Sequence, residues 1–388
     1  MMNHYPERRQ PNPFNMVTQQ GIMIELQGTY EHILPLFKGP HVSLVVQAVI
    51  EGNDQGRIWA DESETPRTVF MWDKAHCYYL VGNTGNHTFN RALETVITEE
   101  IEPEAIEHNF LDFKVCCTDN WDAKIHSIFK DASLVKKERR FYTFKKSKVD
   151  WKNTIPPGFT VKCIDEPLLK RAFRNTDAVT EEIESMWNSV NDFFKHGFGF
   201  CAVYNNEIAC WCTAEHVSKY RCGIGIETVE KYQRRGVATA TAAAFVDHCI
   251  TRSIVPCWDC WDNNIPSITV AEKVGFERML NYSVYFGSFD EFGSLCIQGE
   301  YYYEQKKYRK AAELLEKALT MKASSRLYYF TGCTWALAGE NDNALKNLEK
   351  AVNTGFTDIE RLERDTRLVK LHKFKKWSTL VERLYEHT

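Results

Sequence analysis

The turn Gln233-Arg-Arg-Gly236-Val-Ala238 carries the most legible chemistry in this chain. Residues 226–239 read as a strand running into that turn, and residues 240–250 continue as a helix. A turn that opens a helix aims free backbone N–H groups and the positive end of the helix dipole at one point. Gly236 lets the backbone approach closely, the small Ala238 keeps the path clear, and Arg234 and Arg235 add charge-assisted donors. These residues suit a pyrophosphate and predict a diphosphate-bearing cofactor held by main chain. A second spacing, Cys257-x-x-Cys260, invites a metal or redox reading. It has no second pair at finger spacing and lies in an aromatic, strand-like run, so structural thiols are the expectation and no metal is assigned. Cys210-Trp-Cys212 alternates as a strand does, which puts both thiols on one face.

The elements that must position the turn are predicted by pattern. Residues 159–164 read as a strand, and 168–173 and 181–194 as helices. Residues 197–204 and 208–215 read as a hairpin about Asn205-Asn206, and 223–229 as the strand that feeds the turn. Pro256–Asp262 reads as a further strand, succeeded by an Asn263-Asn264-Ile-Pro-Ser267 turn, a short helix and Gly275-Phe276. Upstream, Ile155-Pro-Pro-Gly158 is a stiff turn and a natural boundary. Before it, residues 30–50 have helical spacing interrupted at Gly39-Pro40. Strands are expected at 57–61, 68–73, 77–81 and 110–117, and helices near 89–99 and 121–129. Pattern alone gives a mixed α/β fold.

The chain has 388 residues, which implies two or three domains. Its hydrophobic content of 44% is ample for real cores, and a net charge of −4 with no long basic run gives no sign of nucleic-acid binding. The cluster at 370–376 reads as a solvated helix face. No apolar run approaches the roughly 18 residues of a membrane span, and the N-terminus lacks the apolar core of a signal peptide. Thirteen cysteines in such a chain are expected to be mostly free thiols in a reducing, cytoplasmic compartment.

The Gln233–Ala238 turn, together with the strand, Asn/Ser turn, helix and Gly-Phe pair of residues 256–276, resembles the acetyl-coenzyme A signature and second half of the GNAT N-acetyltransferase superfamily. Residues 258–267 and 271–276 are similar to those of a bacterial branch that includes zwittermicin-resistance-type acetyltransferases. The resemblance implies a GNAT fold, a mixed central sheet flanked by helices, with acetyl-coenzyme A as co-substrate and an amine as acceptor, most simply a small molecule. It also implies that Thr228 and Val229 offer a free main-chain edge to the cofactor. Gln233, Arg234, Arg235, Gly236, Val237, Ala238 and Thr239 would cradle the pyrophosphate. Asn264 and Ser267 match a cofactor-contacting turn, where helix capping is the alternative. Acetyl transfer needs a base for the amine and a proton for the leaving thiolate. Glu227 is the expected base, with Glu215 as the second candidate. His216 is either a relay or an exposed strand-end residue. The position where many relatives carry an acidic Tyr is Ala271, which leaves Tyr282 and Tyr285 as nearby substitutes or as packing aromatics.

Residues 308–319 are echoed by 342–352: Ala311 pairs with Ala344, Leu315 with Leu348 and Ala318 with Ala351, each 33 apart. Gly299 and Gly332 stand in the same relation. This spacing resembles tetratricopeptide repeats, with residues 359–385 as a cap. The expected organisation is a loose tail at 1–20, an α/β region at 21–150 (a degenerate acetyltransferase-like half or a plain structural domain), a GNAT domain at 151–290 and a helical repeat domain at 291–388. Two other functions fit the same organisation: a protein acetyltransferase whose repeats recruit the target, and a non-catalytic scaffold acting through them.

Overall fold

A computed structural model describes residues 23–27, 30–130 and 132–386, so the tail expected at 1–20 lies outside the described residues. Its strands are β1 (Ile24–Glu25), β2 (Arg57–Ala60), β3 (Thr68–Trp72), β4 (Cys77–Gly82), β5 (Asp112–Cys117), β6 (Val135–Phe144), β7 (Thr160–Cys163), β8 (Gly199–Tyr204), β9 (Glu207–Glu215), β10 (Arg221–Thr228), β11 (Val255–Trp261) and β12 (Phe276–Ser288). All twelve join one sheet in the order β1-β2-β3-β4-β5-β12-β6-β11-β10-β9-β8-β7.

That order is two six-strand halves joined edge to edge. In each, four strands run antiparallel and the fourth and fifth pair in parallel, β4 with β5 and β10 with β11. The sixth strands are exchanged. β12 pairs with β5 and β6 pairs with β11, while the two bond each other from Phe276–Phe144 to Phe286–Val135. The Ile155-Pro-Pro-Gly158 turn therefore does not separate two independent sheets.

Each half buries its own aromatic core. Phe70, Trp72, Tyr78, Phe113 and Trp121 fill one face of the first half. Val46, Val69 and Met71 fill the other, which explains why every residue of β3 is buried. Trp187, Phe193, Phe245 and Trp258 pack the second half. The helix predicted over 181–194 is two helices, Thr176–Met186 and Val190–His196, because Ser189 caps the second by accepting from Asp192 N–H at 3.1 Å.

β6 has no counterpart among the strands predicted from the sequence. Its run Lys-Lys-Glu-Arg-Arg has the composition of a surface segment, yet it sits at the centre of the sheet. Partners make this tolerable: Lys137 meets Glu304 at 3.0 Å, Arg139 meets Asp259 and Arg140 meets Asp262.

Past β12 the chain is helical. Helices Glu291–Glu304 and Tyr308–Met321 form one antiparallel pair, and Ser325–Leu337 and Asn341–Asn353 a second. The 33-residue echo has a contact behind it. A Cβ on Gly299 would stand 2.6 Å from the Leu315 side chain, and one on Gly332 2.8 Å from Leu348. The same close approach thus recurs in both pairs. The array docks on the sheet through Glu304, which accepts from Lys137 and from Asn263 at 2.8 Å, and through Arg361, 3.3 Å from Glu230.

Candidate active site

β10 and β11 pair only at Arg221–Val255 and Cys222–Pro256, and then diverge. β11 turns away to pair with β6, while β10 stays with β9. The alternation of an antiparallel ladder decides which β10 groups are left over. Val229 N–H bonds Ala209 O at 2.9 Å, so Gly223, Gly225 and Glu227 likewise turn their main chain to β9. Ile224, Ile226 and Thr228 turn theirs to the opening. Gln233 Nε2 covers the Thr228 carbonyl at 3.1 Å. Val229 also accepts from Tyr232 N–H at 2.8 Å, so its main chain is fully used and does not form the edge expected of it. Ile224 and Ile226 take that place.

The Gln233–Ala238 turn lies at the end of β10. Gly236 has φ +83°, opens the helix Val237–Thr251, and no side chain caps that helix. A Cβ on Gly236 would touch only Pro156, at 3.9 Å. The first N–H groups of the helix, on Val237, Ala238 and Thr239, have no partner within it, since only Ala240 reaches back to Gly236 O. Gln233, Arg234 and Arg235 are exposed around this point. The first half has the equivalent helix, His87–Val96, after β4. There Asn86 caps the end by accepting from Phe89 N–H at 3.1 Å, and β4 pairs with β5 through four registers with no comparable splay. The two halves share a fold, but of these two helix starts only the second is left without a side-chain cap.

Between the diverging strands lies a cavity of about 360 Å³ at the junction of the two halves. Glu215 projects into it from β9. Its carboxylate lies over Gly225, where a Cβ would fall 2.2 Å from Glu215 Oε1. Burial pushes the Glu215 pKa up. From the helix Thr176–Met186 comes Glu182, raised to about 7 by burial and by the neighbouring Glu215 and Glu227 carboxylates. Sequence reasoning missed Glu182; nothing in its helix marks it, because the tertiary fold alone brings it to Glu215. Glu227 is exposed and does not line the cavity.

The first half supplies the opposite wall. Lys114 reaches in from β5, and Asp73 accepts from Ala75 and Cys77 N–H at 3.0 and 2.9 Å. His216 bonds Asp54 at 2.7 Å; burial works against its charge, but Asp54 wins and raises its pKa to about 9, so it is neither an exposed strand-end residue nor a free relay. Tyr282 donates to Asp259, and Arg139 Nε donates to Asp259 at 2.6 Å and to the Tyr282 hydroxyl at 3.2 Å. His41 stacks on Tyr282 at 3.9 Å, and burial lowers its pKa to about 4. Tyr285 instead packs in the first half's core, and Ala271 is buried in the second's.

Asn264 and Ser267 line the cavity and also cap: Asn264 Oδ1 accepts from Ser267 N–H at 3.2 Å, and Ser267 Oγ from Trp258 Nε1 at 2.9 Å. Cys257 and Cys260, three apart on one strand, belong to different core clusters and cannot hold one ion between them. All thirteen cysteines are free.

A splayed parallel strand pair above an uncapped helix N-terminus, opening on a charged cavity, is the architecture of an acyl-transfer enzyme. Residues 34–285 match the family model described as GNAT acetyltransferase, and the chain belongs to that family. It is similar to the uncharacterized N-acetyltransferase YdfB of Bacillus subtilis (strain 168), 27% identical over 257 residues that cover 66% of this chain and 95% of the relative. A GCN5-related N-acetyltransferase-like protein from Streptococcus suis 89/1591 shares the fold, with a TM-score of 0.50 at 20% identity, over 66% of this chain and 97% of that one. The protein is an acyltransferase. Among the described residues no helix is long and apolar enough to cross a membrane.

Proposed function

We propose that the enzyme transfers acetyl from acetyl-coenzyme A to an amine on a small molecule, by direct attack within a ternary complex. The observation that carries this reading is the continuity of three features: the Ile224–Ile226 edge, the uncapped end of the Val237–Thr251 helix, and the cavity holding Glu215. On this reading Gly236, Val237, Ala238 and Thr239 bind the pyrophosphate through main-chain N–H groups, with Gln233, Arg234 and Arg235 around it. Ile224 and Ile226 hold the pantetheine arm and polarise the thioester carbonyl. Asn264 and Ser267 form the other wall. The amine nitrogen attacks the carbonyl carbon, its proton passes to Glu215, and the C–S bond breaks. The raised pKa of Glu215 suits that proton transfer. Of the two tyrosines lining the cavity, Tyr79 and Tyr282, Tyr282 is our candidate to return a proton to the thiolate.

A cavity of about 360 Å³ lined by both halves suits a small acceptor. The similarity to zwittermicin-resistance-type enzymes supports the same choice. We read the two helical pairs as tetratricopeptide-like, on their shared Gly–Leu contact. The decisive experiment is calorimetric titration with acetyl-coenzyme A beside Gly236→Glu. Saturable binding lost in the variant supports the assignment; no binding in the parent protein overturns it.

A further inference from the structure

Most charges in the cavity are matched. Arg139 answers Asp259, Asp54 answers His216, and two main-chain N–H groups hold Asp73. Glu182, raised to about 7 by burial and by the neighbouring Glu215 and Glu227 carboxylates, adds to the acidic side of the cavity. Two groups of opposite sign remain. Among the described residues no cation stands within 4.0 Å of the Glu215 carboxylate, and no carboxylate within 4.0 Å of the Lys114 ammonium. They come from opposite halves, Glu215 from β9 and Lys114 from β5. His216 and then Lys114 act on Glu215 through space, yet no ion pair joins either of them to it. The largest influence on Lys114 is the Cys77 sulfur, a weak acceptor, with Asp259 acting on it more weakly. Protein interiors seldom leave two charges unanswered.

We propose that the acceptor is an amino acid or a close analogue, whose amine sits at Glu215 and whose carboxylate sits at Lys114. This rests on the acetyltransferase reading and adds the acceptor's second charge. The strands set the orientation. Glu215 lies over Gly225, beside the Ile224–Ile226 edge, so an amine there faces the thioester. Lys114, on the first half's wall, takes the far end. An ammonium is a compact point charge, suited to a carboxylate without a bidentate fork. The exchanged-strand architecture then has a purpose at the site: one half binds the cofactor, and the other supplies acceptor recognition.

The test uses the full chain, acetyl-coenzyme A and acceptor pairs that differ only by a carboxylate: lysine with cadaverine, phenylalanine with phenethylamine, serine with ethanolamine. Thiol release is monitored for each. The carboxylate-bearing member of the accepted pair is expected to lead in kcat/KM by about tenfold or more, the range of a charge-assisted contact. Lys114→Met should bring the ratio near unity through KM for the acid, with the calorimetric affinity for acetyl-coenzyme A kept. Lys114→Arg should restore much of the preference, which separates loss of the charge from misfolding. Equal rates within pairs in the parent, or a preference that survives Lys114→Met, overturns the proposal. Saturable acetyl-coenzyme A binding with no pair acetylated sinks the amino acid acceptor alone. Absence of acetyl-coenzyme A binding removes the transferase reading with it.

Discussion

Glu215 and Glu227 are both legible in the sequence as carboxylates near the cofactor strand, but their order of importance is not. Strand alternation puts the two on one face of the sheet; depth, which no spacing encodes, separates the buried member from the exposed one. A usable signal is present in Gly223-Ile-Gly225, since a strand that gives up two side chains is making room for something. Glu215→Gln is expected to lower kcat by about 10²–10³-fold with acetyl-coenzyme A affinity retained, while Glu227→Gln changes it little. Thiol-release kinetics with a working acceptor decide between them. Gly225→Ala should mimic Glu215→Gln, because its methyl would occupy the carboxylate's place. A fully active Gly225→Ala would contradict that placement. Glu182 makes a separate prediction in stability. Its ordinary pKa is 4.5 and its folded value about 7. The penalty for burying its charge is therefore absent below about pH 4.5, grows as pH rises, and is complete above about pH 7. Glu182→Gln should raise the melting temperature by a few degrees at pH 8 and by much less at pH 5.

At the scale of elements, β10, the Gln233–Ala238 turn and the Val237–Thr251 helix are readable because local sequence dictates them: a glycine at positive φ, basic neighbours and an apolar helix. β6 is not, because its charges answer partners from β11, the turn after it and the helix Glu291–Glu304, all more than a hundred residues away. The two equivalent helix starts offer an internal control. Asn86 satisfies its own helix, whereas the Gly236 end is left open. Asn86→Ala should cost about 1 kcal/mol of stability, in chemical denaturation, and leave acetyl-coenzyme A binding as it was. Loss of binding in that variant would mean that the first half holds cofactor after all.

For the whole molecule, a mixed α/β fold and a helical C-terminal segment are visible in the pattern, but the exchange of β6 and β12 is not, because pairing between residues 135–144 and 276–286 leaves no trace in either run. It makes the boundary near residue 150 a poor place to cut. A fragment of residues 151–290 has β11 and β12 without the strand that joins them. It should show no cooperative unfolding and no acetyl-coenzyme A binding, and regain both when co-expressed with residues 1–150; a stable, binding-competent fragment would refute this. The same exchange has a consequence during synthesis. When β6 leaves the ribosome, the edge of β5 has no neighbour, and β12 emerges more than a hundred residues later. At about 5–20 residues per second, that open edge waits on the order of ten seconds. Throughout that interval the nascent chain carries a bare strand edge able to pair with another chain emerging nearby, so yield should fall when translation is slowed between β6 and β12 and recover when it is slowed only after β12.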